Sequence, residues 1–174
     1  MFFKTAVIFS LLTSALALPA QNVNRITRRA VLSAQDYSEF QVSDGVGGNA
    51  LAEVQAKFPV NVANVDAADL AILKKAGQVA ESAEIAAGGF NEAIEAAGGT
   101  KTAAGEALQV GKIKNKVLKL QLSVLVLKAQ IAAGEDRAAK LAEQTTKLNK
   151  NIQLDEAAAG QKSTSVDFQG SSQP

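Results

Sequence analysis

Apolar and polar positions alternate most regularly in the last third of the chain. Val110, Ile113, Val117, Leu120, Val124, Leu127 and Ile131 are separated alternately by three and four residues, which puts them on one seam of a long helix. Leu118, Leu122, Leu125, Ala129 and Ala132 form a second stripe beside it. A helix this broadly apolar must be covered on more than one side. Gly134 stops it, and Glu135 and Asp136 open the next helix, where negative charge suits the N-terminal dipole. There Ala138, Leu141, Thr145, Leu148, Ile152 and Ala159 take heptad-like positions, with Asp155 as an interruption. A connection this short makes the two helices antiparallel neighbours. The pattern predicts a hairpin of 105–133 and 135–160, whose packing or partner seam includes Leu141, Leu148 and Ile152. Leu118 to Val124 (LKLQLSV) also alternates as a strand would. The helix reading prevails because the seam runs well beyond that window, between good helix formers.

The middle of the chain is weaker in pattern. Asn49 is a candidate N-cap for a short helix ending before Pro59, and Val60 to Val65 reads as a loop. Asp66 then caps a helix of about 67–87, whose stripe of Leu70, Leu73, Ala76 (or Gly77), Ala80, Ala83 and Ala87 is mostly alanine. Gly88-Gly89 and Gly98-Gly99 bracket a third short helix from Phe90 to Ala97. Alanine-rich helices between glycine pairs suggest a loosely packed half. Residues 30–48 read as a flexible lead ending in the linker Asp44-Gly45-Val46-Gly47-Gly48, and 161–174 as a polar disordered tail. The expectation is therefore all-α: a small helical bundle over 49–160, built on the C-terminal hairpin.

The N-terminus has another pattern. Lys4 precedes the apolar stretch Ala6–Leu12, and small residues follow at Ala15 and Ala17, then at Ala20. This is a signal peptide over residues 1–17, with cleavage after Ala17 or, alternatively, Ala20; its apolar part is too short to span a bilayer. Arg28-Arg29 lies in a polar stretch and fits the acidic cleft of a dibasic-processing protease. Residues 18–29 then form a propeptide, and the mature chain begins at Ala30.

Charge changes with processing. The full chain has 18 basic and 17 acidic residues; removing Lys4, Arg25, Arg28 and Arg29 leaves 14 against 17, a net charge of −3. A mildly acidic product argues against nucleic-acid binding, which rests on neutralising phosphates. There is no Cys and no His, so disulfides, zinc–thiolate sites and Ser–His–Asp or Cys–His catalysis are excluded. Glu81, Glu84, Glu92 and Glu95 sit among alanines, as solvated helix faces do. No cofactor or metal is expected, and no enzyme. Lys112, Lys114, Lys116 and Lys119 go around the long helix, which suits solubilisation or pairing with the acidic helices better than one phosphate-tracking face. Membrane contact by the 110–133 helix is the alternative, and the alanine stripes could also close a homo-oligomer.

Certain stretches carry a resemblance. Phe40–Gly45 with the following GNALAEV, Gly111–Leu120, Leu154–Gly160 and the closing Val166–Gly170 are similar to a family of small secreted proteins of filamentous ascomycete fungi. The signal peptide and Arg-Arg site fit it too. The resemblance implies an extracellular, non-enzymatic fungal protein: a candidate effector facing an unknown host macromolecule, or a cell-wall component. It offers no catalytic residues.

Overall fold

The computed structural model describes residues 30–174. The expected export signal, its cleavage sites at Ala17 and Ala20, and the Arg28-Arg29 pair lie outside the described residues. The fold is all-α. Its helices are α1 (Tyr37–Phe40), α2 (Ala50–Lys57), α3 (Ala67–Ile85), α4 (Phe90–Ala96), α5 (Ala103–Ala132) and α6 (Ala138–Ala157), with a 3-10 turn at Val62–Asn64. A short antiparallel ladder joins β1 (Gly45–Val46) to β2 (Lys162–Ser163), with Gly45 opposite Ser163 and Val46 opposite Lys162.

The axis is α5. Its two apolar stripes face different neighbours, as their angular offset requires. Leu118 and Leu122, both fully buried, pack with Leu73, Ala76, Val79, Ala80 and Ala83 of α3. Val117, Leu120 and Val124 pack with Leu148 of α6 and Ala50 of α2, with Leu141 and Ile152 against them. Complete burial of a leucine side chain contributes about 1.5–3 kcal/mol, so these two clusters hold the bundle together. Val110 and Leu127 are buried, Ile113 is half-buried, and Ile131 at the end of α5 is exposed. The LKLQLSV window is helical throughout.

Several details depart from the sequence reading. The middle of the chain is closely packed: Ala76, Ala80 and Ala83 have no exposed surface, and neither has Phe90. Small side chains let α3 approach α5 closely, and the Phe90 ring fills space beside Gly111. The last helix begins at Ala138, after Glu135 and Asp136. Gly134, at φ +93°, turns the chain so that the Glu135 N–H donates to the Gln130 carbonyl at 3.0 Å. Glu135 is thereby consumed in closing α5.

The larger correction concerns the ends. The lead expected to be flexible and the tail expected to be disordered are both folded into the core. Tyr37 and Phe40 are 1% and 0% exposed, and Val42 is buried with them. Tyr37 meets Phe40 and Phe168 edge-on, at centroid distances of 5.5 and 5.9 Å. Gln35 and Ser172 exchange backbone and hydroxyl hydrogen bonds of 2.8 Å, tying lead to tail. The reason is that a few large aromatics bury enough area to anchor short aperiodic segments, whose backbone groups then pair with each other.

Candidate functional site: a groove over the long helix

Three buried polar side chains, Lys114, Asn115 and Asp155, position the helices. Lys114 sits on the apolar side of α5 with no exposed surface. Its ammonium donates to the carbonyls of Asp44 (2.9 Å) and Val46 (3.0 Å) and pairs with Glu53 of α2 at 3.0 Å. The supposed flexible linker at Asp44–Gly48 is thus a clasp. The adjacent Asn115 accepts from the Tyr37 hydroxyl at 3.0 Å and donates to the Ala80 carbonyl at 2.8 Å, joining α1, α5 and α3. Burial pushes the Tyr37 phenol up to about 12, so it remains a donor. Asp155, the heptad interruption, accepts from the N–H groups of Gly48 (3.0 Å) and Ala50 (2.8 Å). It caps α2 from a distance, while Asn49, the expected cap, makes no side-chain capping bond.

The lysine run is partnered throughout. Lys119 pairs with Glu81 at 2.7 Å and Glu84 at 2.8 Å, and Lys116 pairs with Glu84 at 3.1 Å. Lys112 donates to Asn91 of α4 at 2.6 Å. Burial alone would raise the Glu84 carboxyl, but Lys119 and Lys116 outweigh it and hold it below the ordinary glutamate value. Burial likewise opposes the charge on Lys119, and Glu81 and Glu84 outweigh it to raise that group. The stability from Glu84 is present above its unfolded-state pKa and lost as pH falls through the lower folded value. That from Lys119 is lost only as pH rises through its raised folded value.

What these contacts leave open is a channel. α3 and α6 each pack along α5 but make little contact with one another. Between them runs a groove of about 450 Å³, open to solvent, whose apolar floor is Val126 and Leu127 over the buried Leu73 and Leu122. Gly77 and the paired Glu81 and Lys119 lie along the α3 side, and Lys140 and Gln144 form the α6 wall. Lys74 stands on the rim without a carboxylate partner among the described residues. The volume falls in the range of ligand sites, about 300–1,000 Å³. Of the predicted seam residues only Leu127 reaches this groove; Val117, Leu120, Val124, Leu141, Leu148 and Ile152 are spent on the α5–α6 interface. Sequence reasoning missed the groove because its floor belongs to two stripes at once. Among the described residues no cluster of three or more His, Cys, Asp or Glu could hold a metal ion. No helix among them is long and apolar enough to cross a membrane.

These features define an all-α protein with one long central helix and a lateral groove. The chain belongs to the family described as a domain of unknown function (DUF8454), which matches residues 32–167. No curated protein and no solved structure matches it.

Proposed function

We propose that the chain is exported and works outside the producing cell as a non-enzymatic binding protein, a host-interaction effector of a filamentous fungus. The observation that supports binding is the open groove between α3 and α6. Its occupant is an amphipathic helix of a partner protein, apolar on one face and flanked by acidic residues. An apolar floor walled by two helices suits a third helix laid between them. Lys74, without a carboxylate partner among the described residues, supplies the complement to an acidic flank, whereas Lys140 across the groove is already paired with Glu143 at 2.7 Å. An open channel suits a polypeptide face better than a small molecule, which needs most of its surface enclosed. The export pattern at Met1–Ala20 and the Arg28-Arg29 pair support the location. The membrane-active alternative would require α5 to leave α3 and α6 on both sides.

A photo-crosslinker placed at Gln144 in the groove, and separately at the exposed turn residue Lys101, tests this reading on host tissue extracts. Adducts should form at Gln144 and map to an acidic-flanked helical segment of one protein. Equal labelling from both positions, or adducts confined to lipid or polysaccharide, would count against it.

A further inference from the structure

Asp69 lies in the first turn of α3 and is 2% exposed. Its carboxylate accepts the Val31 N–H at 3.1 Å on both oxygens and the Leu32 N–H at 2.8 Å. No Lys or Arg side chain pairs with it among the described residues. The α3 dipole favours a negative charge there, yet a buried carboxylate normally has a counter-charge as well. The donors it holds come from the segment immediately downstream of Arg28-Arg29. Hydrolysis of the Arg29–Ala30 amide by water leaves a carboxylate on Arg29 and an amine on Ala30, which takes up a proton at neutral pH. That ammonium is one peptide unit from the Val31 nitrogen, and so within about 7 Å of the Asp69 carboxylate.

We propose that the Arg29–Ala30 bond is the maturation site and that Asp69 is the receptor for the ammonium that cleavage creates. Processing then locks the lead onto α3. Leu32 packs against the main core cluster, Gln35 pairs with Ser172, and Tyr37 contacts Phe168. Tightening at Ala30 is therefore transmitted to the C-terminal tail. The groove plays no part in this, and the lock holds whatever the protein binds.

The full chain, made in a bacterial host, is compared before and after cutting with a dibasic-specific protease. The cut chain should melt about 3–6 °C higher, and its Val31 and Leu32 amides should exchange roughly tenfold more slowly. Selective acetylation of the new α-amine should return both readouts to the uncut values. In Asp69→Asn, cutting should change neither. Identical melting and exchange before and after cutting would overturn the proposal, as would a gain that survives acetylation. Acetylation leaves Asp69 in place, so it decides the matter even if Asp69→Asn does not fold.

Discussion

Lys114→Met should lower the unfolding free energy by about 3 kcal/mol or more, one of the largest losses expected from any single side chain here. Methionine keeps most of the volume but removes the cation. The Asp44 and Val46 carbonyls lose their donor, and the Glu53 carboxylate loses its partner. Glu53 is 37% exposed and water recovers part of its loss, so the estimate stays at the lower end of the range for broken buried pairs. Lys119→Met provides the comparison: Glu81 is half exposed and Glu84 keeps Lys116 as its partner, so the expected loss is only about 1 kcal/mol. Urea unfolding of the two variants measures both. Equal losses would show that Lys114 is no clasp.

Gly111→Ala and Gly77→Ala make the same chemical change in two helices, and they should act in opposite directions. At Gly77 a new Cβ would meet only the Leu122 Cβ, at 3.8 Å, an ordinary contact. Alanine there removes the glycine entropy cost and should stabilise by about 0.5–1 kcal/mol. At Gly111 a new Cβ would run into the Thr164 carbonyl oxygen and approach Phe90 to 3.1 Å. The tail crosses α5 at this point, with the Thr164 N–H donating to the Ala107 carbonyl at 3.0 Å. Gly111→Ala should therefore cost about 3 kcal/mol and release residues 163–168 to fast amide exchange. Thermal melts and hydrogen exchange on both variants measure this. A stable Gly111→Ala with a protected tail would show that the tail does not press on α5 at Gly111.

The hairpin was legible because periodicity reports a face, and α5 has two such faces. Val117, Leu120 and Val124 declared one, and Leu118 and Leu122 the other. The ends were illegible for the converse reason. Tyr37, Phe40 and Phe168 belong to segments too short and irregular for any period, and only tertiary contact reveals that they are core. Asp155 and Lys114 could have been found. Asp155 follows Leu141 and Leu148 at heptad intervals, and Lys114 lies one turn from both Val110 and Leu118. A charge on an apolar line must have partners when buried. Which partners it has, carbonyls at Asp44 and Val46 or amides at Gly48 and Ala50, depends on loops that local pattern does not place. The groove was invisible because it exists where α3 and α6 fail to meet.

The most direct test of the central claim is to express the precursor with a C-terminal tag in a filamentous fungus, separate medium, wall extract and cells, and take an intact mass. A free binding protein should appear in the medium, with a mass that begins at Ala30. Retention in the wall would make it a structural component of the producing cell, and retention inside the cell would contradict the extracellular reading altogether.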